Sequence, residues 1–134
     1  MERVSGRREM VAAMDPVLMP GRFVFCTVED GALAAEALAT FREEEGLSVL
    51  LPVARAEALG LPVESPMRQI TLRVHSALEG VGLTAAVAGV LADAGIACNM
   101  IAARLHDHAF VPEARAEEAL ALLQALQRDG EGEG

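Results

Sequence analysis

Between Met67 and Arg128 the spacing of apolar residues switches repeatedly, and the order of the switches leaves few folds open. In Met67–Val74, Ile70, Leu72 and Val74 alternate with Gln69, Thr71 and Arg73, the period of two expected of a half-buried strand. After a loop, His75–Gly82, the residues Leu83, Val87, Val90, Leu91 and Ala94 recur at helical spacing, and Gly95 suits a left-handed stop. Ile96–Ala103 then reads as a strand, Arg104–Asp107 as a turn, and Ala109–Val111 as a strand that Pro112 ends. Glu113–Arg128 is expected to be a helix, with Ala116, Ala119, Leu120, Leu123 and Leu126 on its buried stripe. With a right-handed crossover, this β-α-β-β-α order predicts an α+β, ferredoxin-like (βαββαβ) unit whose third strand lies antiparallel between the first two. His75, the amino end of the first helix and the hairpin Leu105–His108 then share one edge of the sheet.

The first half is less regular. Met10–Met14 suits a short helical turn stopped by Asp15-Pro16, because the ring of Pro16 disfavours helical geometry at Asp15. Phe23–Val28 reads as a buried strand, Leu47–Leu51 as a second strand, and Val53–Leu59 as a short helix stopped at Gly60. Ala32–Glu45 is a helix by propensity, yet ATFRE and LSVLLP, meeting at the EEEG of Glu43–Gly46, also suit a hairpin. The proline-punctuated stretch 61–66 is the internal boundary. Residues 1–9 and 129–134 are polar and are expected to be flexible tails.

Composition narrows the function. The chain has 134 residues and a formal charge of −9, which argues against nucleic-acid binding. Aromatics are 3 % of residues, so stacking on bases or sugars is nearly excluded. Every one of its 11 basic residues is Arg, which removes Schiff-base and P-loop lysine chemistry. Cys26 and Cys98 lie far apart in apolar runs, as buried thiols of a reducing compartment do. The opening MERVSGRREM is charged where a secretory leader is apolar, and no run approaches the ~18 apolar residues of a membrane span. A cytoplasmic protein that does not engage membranes is expected.

ITLRVHSALEGVGLTAAVAGVLADAGIACNMIA, followed by HDHAFVPEARAEEALALLQAL, resembles the ACT domain, a small regulatory module that binds amino acids. The whole chain is similar to small bacterial ACT-domain proteins, through FVFCTV, ATFREEEGLSVLLP, ITLRVHSALEGVGLTAAV and HDHAFVP. More distantly, the element order resembles half of the cytosolic CASTOR arginine sensor. The resemblance favours the hairpin around Glu43–Gly46 and implies two ACT-like units in tandem, a degenerate one over 10–66 and an ACT domain over 67–128. It also implies a homodimer, as does the apolar excess of so small a chain.

The expected ligand is a small amino acid or related carboxylate. Gly80 and Gly82 let the backbone approach a carboxylate closely, and the amides opening the helix would stabilise it, which nominates Ser76, Glu79, Gly80, Val81, Gly82 and Leu83. A plain loop entering a helix fits the same residues. The resemblance adds Asn99 and Met100 on the following strand, where ACT domains present backbone and an amide to the ligand's ammonium; a structural role suits Asn99 equally. His75, His106 and His108 with Asp107 offer an alternative, a divalent metal site, against the plainer reading that HDH closes a hairpin. No cofactor is implied. Catalysis is not expected, because adjacent His75 and Ser76 would point to opposite faces of a strand and no nucleophile motif occurs.

Overall fold

The computed structural model describes residues 6–75 and 81–132. They form two units, one of residues 21–67 and one of residues 6–20 with 68–75 and 81–132.

In the unit 21–67, β2 (Phe23–Val28), β3 (Ala39–Glu43) and β4 (Gly46–Pro52) form an antiparallel sheet in the order β3-β4-β2. Val24, Cys26 and Val28 face Val49, Leu51 and the Val53 and Ala56 of α2 (Val53–Ala58) in one core. The hairpin, not the helix, takes residues 39–52. Intrinsic propensity is a weak prior, and here strand pairing from Ala39↔Leu50 to Glu43↔Gly46 prevails. Only Gly31–Glu36 coils, as a 3-10 helix opened by Asp30, whose Oδ1 accepts a bond from the Ala32 amide at 2.9 Å. A six-residue 3-10 helix thus stands where a full crossover helix would, which is the sense in which this unit is degenerate.

The second unit contains β5 (Met67–Leu72), α3 (Leu83–Asp93), β6 (Asn99–Ala102), β7 (Asp107–Pro112) and α4 (Ala116–Gly132), with β7 between β5 and β6 as the topology predicts. The free side of β5 is taken by β1 (Pro16–Leu18), which pairs Pro16↔Leu72 and Leu18↔Ile70 in antiparallel register. The fourth strand of the ferredoxin-like arrangement therefore comes from the start of the chain. Residues 10–18, which chain order assigns to the first unit, pack in the second, where Met10 and Met14 join the core of Ile70, Leu72, Val87, Leu91, Val111 and Leu123. Each such buried side chain stabilises by about 1.5–3 kcal/mol.

The described parts of both tails, residues 6–9 and 129–132, are more ordered than their polarity suggests; residues 1–5 and 133–134 lie outside the described residues. α1 (Arg7–Ala12) already includes Arg7–Glu9, and α4 continues through Asp129–Gly132. Gly130 is the reason: a Cβ there would lie 3.0 Å from Val11 Cγ1, so glycine lets α4 lie directly against α1. Gln127 fastens the contact, accepting from the Asp15 amide at 2.9 Å and donating to the Ala12 carbonyl at 3.0 Å. β6 is shorter than the expected Ile96–Ala103, because Gly95 (φ 74°) ends α3 with bonds from Gly95 N to Ala92 O and from Ile96 N to Leu91 O, which turn Ile96 into the core.

Gly89 sits in the exposed interior of α3 with open space where a Cβ would stand. Gly89→Ala is expected to stabilise the protein by about 0.5–1 kcal/mol in urea unfolding. A loss of stability would contradict a regular α3 at this position.

Candidate functional site

The end of β5 and the turn between β6 and β7 meet at one rim of the second unit. The rings of His75 and His106 lie there with centroids 4.9 Å apart and planes tilted by 56°. Ala103 N donates to His106 O at 3.0 Å, closing the turn that carries the second imidazole. His106 Nδ1 is buried with no partner among the described residues. Ser76, Glu79 and Gly80 lie outside the described residues.

Gly82 opens α3 in the left-handed region, φ 106°, and no side-chain cap is formed among the described residues. The first amides of a helix have no intrahelical acceptor, and they carry its positive end. Here they follow a glycine, at a place where an added Cβ would lie 2.9 Å from Arg7 Cγ and Cδ. Arg7, which the sequence did not mark, thus lies against the candidate cradle, brought there by α1. Val81 beside it is 79 % exposed, and Leu105 on the β6–β7 turn is 47 % exposed. Leu83 points inward and belongs to the core.

Asn99 and Met100 are not brought to this rim. They pair with Phe110 and Ala109, toward the far end of β6 from Ala102, which adjoins the turn. Three residues at ~3.3 Å rise separate Asn99 from that end by about 10 Å. Asn99 is exposed, and Met100 packs against the core.

His108 also parts from the other two histidines. Its Nδ1 lies 3.0 Å from Thr71 Oγ1 and 3.2 Å from Gln69 Nε2, while Gln69 Nε2 donates to Thr71 Oγ1 at 2.9 Å. Gln69 Nε2 can only donate, so the Thr71 hydroxyl is free to donate in turn and Nδ1 serves as acceptor, with the ring proton on Nε2. Burial first, then the neighbouring His106, holds the imidazole below its usual pKa, against a raising influence of Asp107. Gln69 and Thr71, read from alternation as the wet face of β5, are therefore buried and satisfied by a side chain from β7. Among the described residues no three His, Cys, Asp or Glu are grouped to hold a metal ion. Both thiols are pushed up in pKa by burial, and Cys26 Sγ donates to Pro62 O at 3.7 Å. They are protonated and poorly nucleophilic.

Residues 8–68 and residues 64–125 each match a family model described as ACT domain. Among solved structures, a Vibrio cholerae protein of unknown function, described as a possible transport protein, is 44 % identical with a TM-score of 0.81, over 90 % of this chain and 94 % of its own. An Agrobacterium tumefaciens protein is 18 % identical, with a TM-score of 0.63 over 84 % of this chain and 87 % of its own. The ligand-free regulatory subunit of aspartate kinase from Thermus thermophilus is 10 % identical, with a TM-score of 0.62 over 85 % of this chain and 97 % of its own. At these identities the last two are likenesses of fold. No curated protein matches the chain.

The lowered pKa of His108 has a testable sign. Above about pH 6.5 the imidazole is neutral in both folded and unfolded chains, and its contribution to stability is fully present. As pH falls below that value, the unfolded chain takes up a proton that the folded chain resists, so this stability is lost toward the folded pKa. The stability gap between the parent and His108→Gln should therefore narrow on acidification below about pH 6.5, as read by urea unfolding at successive pH values. A gap that does not change with pH contradicts the assignment.

Proposed function

Because this chain belongs to the tandem ACT-domain family, we propose that it is a non-catalytic regulatory module that binds a small amino acid or related carboxylate at the rim where α3 begins. The family and the likeness to aspartate kinase regulatory subunits support a regulatory, ligand-binding role. The observation that carries the finer reading is Gly82, which opens α3 in a conformation that L side chains rarely adopt and with no side-chain cap among the described residues. The amides of Val81, Gly82 and Leu83, extended by Ser76, Glu79 and Gly80, would take the carboxylate, with His75 and His106 as polar neighbours. Val81 and Leu105 offer apolar surface to the rest of the ligand. Asn99 and Met100 are not needed at this rim.

A non-catalytic role is supported by the fate of the reactive side chains. The described hydroxyl–imidazole pair, Thr71 with His108, is a nucleophile-and-base pair in composition only, since Thr71 is buried in β5 and its oxygen also accepts from Gln69. The reading includes a homodimer in the cytoplasm. In the unit 21–67, Phe41 is 74 % exposed and Phe25 43 % on the sheet face opposite the core, an apolar patch that a second copy would cover.

Thermal unfolding in the presence of each amino acid tests the ligand. A matching ligand at about one hundred times its dissociation constant should stabilise the protein by about 2.7 kcal/mol. Val81→Asp, at an exposed position, should leave the unliganded melting point unchanged and weaken that ligand about tenfold or more, since a fixed carboxylate would repel the incoming one. Unchanged affinity in Val81→Asp, or no response to any amino acid, would refute the rim site.

A further inference from the structure

In the second unit, α1 lies beside α3 and α4, and residues of the three helices line an open pocket of about 380 Å³. Its apolar wall is Val11, Ala86 and Leu126, with Gly130 beside them. Arg7, Arg8 and Asp129 line its exposed mouth. The volume is at the small end of ligand pockets, which run to ~300–1,000 Å³, and suits a body of a few carbons. Arg7 makes no hydrogen bond or ion pair with the described residues, and its stem is held in place against Gly82. Among the described lining residues, two arginines and one aspartate sum to a single positive charge, which matches a monoanion better than a dianion. An apolar wall beside a cationic side chain is a poor host for water and a good one for an amphiphile.

We propose that this pocket is a binding site for a small monocarboxylate with a short apolar body. Arg7 pairs with the carboxylate, and Val11, Ala86 and Leu126 receive the hydrocarbon. The guanidinium supplies charge-assisted hydrogen bonds that an uncharged analogue of the same shape does not gain. The site lies about one helical turn along α3 from Gly82, and it does not depend on the rim reading, although the Arg7 stem touches Gly82.

The test is a titration of the full chain, labelled for amide NMR, with hexanoate and with hexanol. Hexanoate should shift the amides of Val11, Ala86, Leu126 and Gly130, and hexanol should bind about tenfold or more weakly. Arg7→Gln, at an exposed position, should weaken hexanoate by a similar factor. If that variant fails to fold, the comparison of hexanoate with hexanol on the parent chain decides. Equal affinity for the two probes overturns the proposal, as does the absence of shifts at those amides up to the solubility of hexanoate. Shifts confined to His75 and Val81–Leu83 also overturn it, while leaving the rim site standing.

Discussion

The pairing of β1 with β5 is the constraint on which the second unit rests. A β-α-β-β-α segment ends with one side of its first strand unpaired, and the backbone groups there need partners if that side is to be buried. Pro16–Leu18 supplies them, Met19 N continues the ladder to Gln69 O at 2.8 Å, and Arg73 N donates to Asp15 O at 3.3 Å. Once this strand is in place, Met10 and Met14 have only one core to enter, and α1 must lie across α3 and α4. Arg7 reaches Gly82 for the same reason. The Arg73–Asp15 ion pair at 2.8 Å is exposed and adds little, so hydrogen bonding and apolar burial hold the segment.

Much of this unit is legible in the sequence because its apolar periods are long and unambiguous. The α3 stripe and the Gly95 stop lead directly to the observed helix and its Schellman ending. What chain order alone does not reveal is long-range. Pro-Val-Leu is too short to show a strand period, so nothing in it announces that it closes a unit assembled mostly from residues fifty positions later. Gly130 reads as a tail residue, yet its missing side chain is what permits α4 to continue against α1. Residues 32–45 favour a helix by propensity and become a 3-10 turn and a strand because β4 offers a partner.

The site divides along the same line. Topology alone brings His75 and the hairpin to one edge, and the two rings do meet there. His108 separates from His106 because it lies in the regular part of β7 and faces Gln69 and Thr71, whereas His106 sits in the turn. Such a polar contact between strands is visible in sequence only as two alternating polar residues, which look like solvent-facing ones. Family resemblance alone points to Asn99 and Met100, and the direction of β6 carries them toward the opposite end of the sheet. The regulatory reading therefore draws on backbone shape at Gly82 more than on any one reactive side chain.

The direct measurement is a crystal structure of the protein grown with a mixture of amino acids. The account predicts a bound carboxylate with an oxygen about 2.7–3.2 Å from a main-chain nitrogen in the first turn of α3. A rim filled by the protein's own side chains, with the guest elsewhere or absent, would contradict it.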